Sequence, residues 1–235
     1  MNGAEALVAT AISAGLEICF ANPGTTELPL VQALDSVPGL RSILCLHENV
    51  ATGAADGYGR MAAKPAMCLL HVGVGLANGL TNLHNARRAF TPMLIVIGDH
   101  ATWHLPADPL LATDVQSLAY IVSDQVKKSL GAPTVACDSA AAIEATMENG
   151  GGIAILIVPH DAQIGEASRS IPVHRDRAKK AYSSSQVGPA AKALKSGKSA
   201  LLLGGDALSE PGITLAGRIA AIRISPAGSA ARWPV

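Results

Sequence analysis

The sequence predicts an α/β fold: a three-layer α/β/α domain with a mostly parallel central sheet, followed by an incomplete second α/β unit. Three observations predict it. Five short runs, LEICFA (16–21), SILCLH (42–47), AMCLLH (66–71), PMLIVIG (92–98) and GIAILIV (152–158), are almost continuously apolar, as strands covered on both faces are. Segments of helical character, 3–14, 26–36, 49–62, 76–89 and 138–149, alternate with them, the spacing of βα units with right-handed crossovers. Of the 235 residues 49% are apolar but only 3% aromatic, and 23 are glycine, which suits helices lying close on a sheet through small side chains.

Taken in order, helix 3–14 leads into strand 16–21, which stops at Asn22-Pro23-Gly24 before two threonines and a glutamate open helix 26–36. Strand 42–47 gives way at His47-Glu48 to helix 49–62. Strand 66–71 ends on His71 and the glycine-rich HVGVGLANGLTN (71–82), read as a tight strand-to-helix loop. Residues 104–120, with two prolines and two Asp-containing turns, read as irregular chain over the sheet's edge. Around 161–186 the pattern lapses into charge and serine, including Ser183-Ser184-Ser185. The organisation is therefore a domain at 1–165, a linker at 166–185, and the start of a second unit at 186–235. That unit reads as helix 187–195, strand SALLLG (199–204), a Gly204-Gly205-Asp206 turn and helix 211–221, with an aperiodic tail ISPAGSAARWPV. Roughly 50 residues are too few for an independent doubly wound domain with a good core.

Eighteen basic and 18 acidic residues give a net charge of zero, which argues against a nucleic-acid or anionic-membrane surface. The one basic knot, HRDRAKK (174–180), reads as solvated linker. A secretory leader pattern and a spanning apolar stretch are both missing from the sequence, so the cytoplasm is the expected compartment. Cys19, Cys45, Cys68 and Cys137 are widely spaced and three sit inside apolar runs. Those three read as buried small hydrophobes, not a disulfide framework or metal site.

The chemistry is expected at the carboxyl ends of the strands, where open parallel sheets form their crevices. Three successive strand ends carry Thr25, Glu48 and His71. Glu48 could be a helix-capping carboxylate. Alternatively, an acid delivered by an apolar strand into a glycine-rich neighbourhood is poised for proton exchange. Gly73, Gly75 and Gly79 allow close backbone approach but lack the spacing of a phosphate loop. No serine sits in a nucleophile elbow, and His84 and His100 complete no metal set. The physical reading is a crevice with a hydroxyl, a partly buried acid and an imidazole.

FANPGTTELPL, HENVATGAADGYGRMAAKPA, HVGVGLANGLTNLHNARRAFTPMLIVIGD and the later LLLGGDAL resemble the N-terminal part of the thiamine diphosphate-dependent enzymes of the acetolactate synthase and benzoylformate decarboxylase group. The resemblance covers 1–165 as the pyrimidine-binding domain and 186–222 as the start of a middle domain. It implies that Glu48 hydrogen-bonds N1′ of the cofactor's aminopyrimidine and favours the 4′-imino tautomer. That tautomer removes the thiazolium C2 proton, and the ylid attacks a 2-oxo acid for decarboxylation or carboligation. Thr25 and His71 match the substrate-side hydroxyl and histidine of the decarboxylase branch. Gly24, Gly73, Gly75, Asn78 and Gly79 match the pocket around the pyrimidine. The loop departs from the synthase pattern, with Gly73-Val74-Gly75 where Gly-Pro-Gly is usual, so synthase (transferase) and decarboxylase (lyase) chemistry both stay open.

The Gly-Asp-Gly…Asn motif by which the family holds Mg²⁺ and the diphosphate is not among the 235 residues. Mg²⁺ is therefore expected only in a complete enzyme. The chain is expected to supply a pyrimidine-activating half-site, to be inactive and bind cofactor weakly when isolated, and to associate as a homo- or hetero-oligomer through its crevice face. The synthase branch links this chemistry to branched-chain amino acid biosynthesis. The competing reading is a catalytically inactive truncated homologue acting as an interaction module; a nucleotide-binding α/β protein is the weakest.

Overall fold

The first helix, α1 (Gly3–Ser13), starts on a reciprocal cap. The Asn2 side chain accepts the Glu5 N–H at 2.8 Å, and the Glu5 carboxylate accepts the Asn2 N–H at 3.0 Å. Two of the donors that a helix start leaves open are satisfied this way. The structure, a computed structural model, describes residues 1–148, 151–167, 169–173, 182–196 and 199–223. It divides into two compact units, residues 1–177 and 178–235.

The first unit continues through β1 (Ile18–Asn22), a 3₁₀ turn (Thr25–Glu27), α2 (Leu28–Ser36), β2 (Arg41–Leu44), α3 (Glu48–Ala62), β3 (Ala66–His71), α4 (Val72–Arg88) and β4 (Met93–Asp99). It then runs through a 3₁₀ turn (Leu105–Ala107), α5 (Val115–Ala119), β5 (Gln125–Lys128), α6 (Ala132–Ala145), β6 (Ile153–Pro159) and α7 (His160–Ile164). Every strand pair is parallel and the order is β2-β1-β3-β4-β6-β5. The chain leaves β1 toward β2 on one side and returns to β3 on the other. With right-handed crossovers, that reversal sends successive helices to opposite faces.

The core follows. Met67, Leu69, Leu94, Val96, Leu156 and Val158 point to the face that also holds Leu7, Val8, Leu30 and Val135 of α1, α2 and α6. Cys68, Leu70, Ile95, Ile97, Ile155 and Ile157 point to the other, with Ala51, Leu76, Leu83 and Val115 of α3, α4 and α5. All seven residues of both β4 and β6 are buried. Each fully buried aliphatic side chain stabilises by about 1.5–3 kcal/mol, so each of these two strands contributes more to the hydrophobic gain than any other single element.

Several boundaries differ from the sequence reading. Helix 138–149 is α6, six residues earlier at its start. The expected glycine loop at 71–82 is helical from Val72 onward, because Val72 reverses the chain in one residue at φ +39°. Residues 104–120 contain the short helix α5, and the charged edge strand QVKK was not anticipated. The run SILCLH is not covered on both faces: β2 is an edge strand, with Leu44 72% and Leu46 92% exposed.

In the second unit, α8 (Ser184–Lys195), a 3₁₀ turn (Gly205–Leu208) and α9 (Glu210–Arg223) form. SALLLG does not form a strand, since residues 199–204 pair with no other described segment and a strand without a ladder partner leaves its backbone unsatisfied. HRDRAKK and the tail ISPAGSAARWPV lie outside the described residues.

Cys19, Cys45 and Cys68 are buried and Cys137 is exposed. Burial pushes the Cys19 thiol up to about 12 from an ordinary 9.0, with the neighbouring Cys45 adding to it. A raised folded-state pKa contributes stability that is complete below the unfolded value and is lost as pH climbs toward the folded one. Stability should therefore fall between about pH 9 and 12, and thiol reagents should label Cys137 quickly in the native protein while Cys19 and Cys68 react only on unfolding. Mass mapping of alkylated sites checks this; rapid native labelling of Cys19 would contradict the burial.

Candidate functional site

The reversal point of the sheet lies between β1 and β3, and parallel sheets bind ligands outside their strands' carboxyl ends at such a point. Gly24, Thr25, Thr26 and Glu27 follow β1, Glu48 starts the helix after β2, and His71 ends β3. Of these, Gly24, Thr25, Glu48 and His71 are the sequence-predicted residues, and they fall at the edge that the topology opens.

Two side-chain groups form there. The first is centred on Glu27, which the sequence reading did not single out. Its carboxylate is completely buried, with His71 Nδ1 2.7 Å from Oε2, the Gly24 N–H 2.8 Å from Oε2, and the Thr26 hydroxyl 2.5 Å from Oε1. Three donors converge on an acceptor-only group, which is what a buried carboxylate requires. Thr26 Oγ1 also lies 3.1 Å from His71 Nδ1. Because the Thr26 proton is committed to Glu27, His71 Nδ1 must carry the proton shared between the two oxygens. A neutral ring with its proton there keeps its lone pair on Nε2, so Glu27 selects that tautomer.

Glycines make the approach possible. A Cβ on Gly24 would run into the His71 ring, and one on Gly98 of β4 would run into the Glu27 carboxylate. Thr25, the hydroxyl selected from sequence, is exposed; its neighbour Thr26 meets His71.

The second group is centred on Glu48, the first residue of α3 and itself buried. Capping belongs to His47, whose Nδ1 accepts the Asn49 N–H at 3.0 Å. The Glu48 carboxylate is thereby left for other work. Its Oε2 accepts from Asn78 Nδ2 at 3.0 Å, and a Cβ on Gly75 would sit 3.3 Å from Oε1 and 3.5 Å from the His71 Cβ. The space left open at Gly75 is therefore bordered by both the acid and the Cβ of His71. Gly79 packs on Thr52, which ties α4 to α3 through its hydroxyl to the Gly79 carbonyl at 3.3 Å. Gly73 faces Thr113 and so belongs to the wall away from Glu48. Among the described residues no three His, Cys, Asp or Glu side chains could together hold a metal ion.

Comparisons with known proteins agree on the family. Residues 1–125 match the profile of the thiamine pyrophosphate enzyme N-terminal TPP binding domain, more than half of the chain. A Mycobacterium tuberculosis protein provisionally named acetolactate synthase large subunit IlvX is 49% identical over 223 residues, 93% of this chain and 42% of that protein. Benzoylformate decarboxylase of Pseudomonas aeruginosa is 36% identical over 98 residues, 42% of this chain and 18% of the enzyme. The fold matches that of the Rhodococcus jostii thiamine diphosphate-dependent 4-hydroxybenzoylformate decarboxylase with a TM-score of 0.76 at 23% identity, over 83% of this chain and 38% of the decarboxylase. The chain thus spans well under half the length of these relatives.

The hydroxyl assignment is testable. Thr26→Val leaves a buried carboxylate oxygen short of a donor and should destabilise by about 1–3 kcal/mol. Thr25→Val, at an exposed position, should stay within about 0.5 kcal/mol of wild type. Urea denaturation of both variants decides; equal effects would show that the two threonines are not distinguished as described.

Proposed function

Because the chain belongs to the thiamine pyrophosphate enzymes, carrying their N-terminal TPP binding domain, we propose that it supplies the pyrimidine-activating half of a site for carboligation or decarboxylation of 2-oxo acids. The single observation that carries this is Glu48: buried at a crevice edge, relieved of capping by His47, and bonded among the described residues through one oxygen only, to Asn78. The space beside its second oxygen exists because Gly75 has no side chain, so the residues present fit the edge of a flat heteroaromatic ring. Thiamine diphosphate, when bound, supplies a nucleophilic thiazolium carbon for addition to a carbonyl.

The chain's own residues divide the remaining work. Glu48 holds or releases a proton at Oε1, and Asn78 keeps that carboxylate turned toward the crevice. Gly75 and Gly79 permit close approach, one beside Glu48 and one against Thr52. His71 offers Nε2 toward a 2-oxo acid or its products, with its tautomer fixed by Glu27 and Thr26. Thr25, Gly24 and Gly73 complete the lip and the wall. Between the two outcomes, His71 with its buried acid favours proton delivery, the step that in simple decarboxylation takes the place of carboligation's attack on a second carbonyl. Diphosphate and Mg²⁺ would be held by residues outside these 235, in a partner or in further sequence.

Glu48→Gln tests the reading in a complete assembly, made by supplying the diphosphate-binding portion of a relative by fusion or as a second chain. Gln keeps the size and much of the bonding to Asn78 but cannot exchange a proton. Hydrogen–deuterium exchange at the cofactor's thiazolium carbon should slow by about 10²–10⁴-fold, the span of general acid–base assistance, with cofactor affinity little changed. Unchanged exchange would remove Glu48 from the proposed role and favour the interaction-module reading.

We further propose association through the crevice side. Leu28, Leu44, Leu46 and Val50 are exposed around the strand ends and the start of α3, an apolar surface of the kind that marks an interaction site. Sedimentation velocity should show a dimer or larger species; a well-behaved monomer at high concentration would count against it.

A further inference from the structure

The 3₁₀ turn Thr25–Glu27 presents Glu27 to His71, yet one of its carbonyls lacks the partner the turn would give it. In an i→i+3 pattern the Thr26 carbonyl would accept from residue 29, which is Pro29 and has no N–H. The first residue of α7 supplies the donor. His160 Nδ1 lies 3.2 Å from the Thr26 carbonyl oxygen, and since a carbonyl only accepts, Nδ1 must carry the proton. The next residue does the same for a second loop. Asp161 accepts the Thr102 N–H at 3.1 Å and the Thr102 hydroxyl, fastening the chain that leaves β4. His160 and Asp161 thus tie two crevice loops to the end of β6.

We propose that His160 is a positioning residue for the Glu27–His71 pair: its Nδ1–H replaces the donor missing at Pro29, fixes the Thr26 peptide, and so keeps the Thr26 hydroxyl and the Glu27 carboxylate on His71. Three strands share the load. His71 closes β3, Gly98 in β4 makes room beneath Glu27, and His160 follows β6. The Thr26 peptide lies between the two histidines, bonded through its side chain to one and through its carbonyl to the other. Loss of the His160 bond acts on His71 without touching it. The functional meaning rests on reading His71 as the site's proton carrier; the geometry does not.

The test uses the full chain labelled with ¹⁵N-histidine and needs no cofactor. In the wild type the imidazole nitrogen shifts should show His160 protonated at Nδ1 near neutral pH, and His71 likewise. His160→Leu removes the donor and should speed water exchange of the His71 Nδ1 proton by about five- to ten-fold, the effect of losing one ordinary hydrogen bond. His160→Asn keeps a donor near the Nδ1 position and should stay within about twofold of wild type. Far-UV circular dichroism verifies that each variant is folded. A wild-type His160 protonated only at Nε2 overturns the proposal, a result that stands even if the Leu variant fails to fold. So does an unchanged His71 proton in His160→Leu, or an Asn variant as perturbed as the Leu variant. Failure of a completed enzyme to turn over 2-oxo acids, with these spectra as described, would overturn only the functional reading.

Discussion

The crevice depends on a fully buried carboxylate. Glu27 is shut away from water, and burying such a group costs several kcal/mol unless donors replace its hydration. The donors come from Gly24, Thr26 and His71, residues on two different strand ends. Meeting that requirement fixes the turn after β1, the ring of His71 and the approach to Gly98 together. The arrangement is over-determined: no one of the four can move without leaving another short of a partner. That rigidity suits a group asked to hold a defined tautomer, because a loose imidazole would divide its proton between two nitrogens.

Around this anchor the sheet supplies the geometry. Because the connections leave β1 and β3 toward opposite sides of the sheet, no crossover covers the space between their ends. Since α2 packs on one face and α3 and α4 on the other, the edge between them stays open. The acid at the head of α3 and the glycines in the first turns of α4 then meet along one side of it. Small residues are what let α3 and α4 lie close enough: Thr52 against Gly79, Asn82 reaching the Asn49 carbonyl at 2.7 Å, and a Gly53 whose missing Cβ would meet Asn82. The low aromatic content seen in the sequence has its physical use in this packing.

Much of this is legible in the sequence. Continuous apolar runs announced the buried strands 66–71, 92–98 and 152–158 because both faces of the sheet are covered there. The same rule misread SILCLH, since an edge strand that exposes leucine looks identical in sequence to a central one, and SALLLG, which has the composition of a strand but no partner among the described residues. QVKK escaped because two lysines in four residues hide a strand that needs only one good neighbour. At the site, Glu48 and His71 were visible from their place at strand ends. Thr25 and Thr26 were not separable: adjacent residues in a 3₁₀ turn point about 120° apart, and only the structure says which one turns inward. Glu27 did leave a signal, the glutamate three residues after Gly24, which is the spacing at which an acid in the first turn reaches back to the N–H that opens it. Its dependence on Gly98 left none, because a contact between residues 71 positions apart has no local pattern.

Val72 joins β3 to α4 with no intervening loop, and it does so as a buried, β-branched residue at φ +39°, a conformation that costs of order 1–3 kcal/mol. The junction is therefore a keyed coupling with no slack. Because the helix starts on the residue after His71, the angle at which α4 presents its side chains is indexed directly to the end of the strand. One residue more or less at this point would rotate the helix by about 100° about its axis. Asn78 and Gly75 would swing away from Glu48 together, and Gly79 would lose its seat on Thr52. The count of residues between His71 and Asn78 thus behaves as a fixed gear ratio.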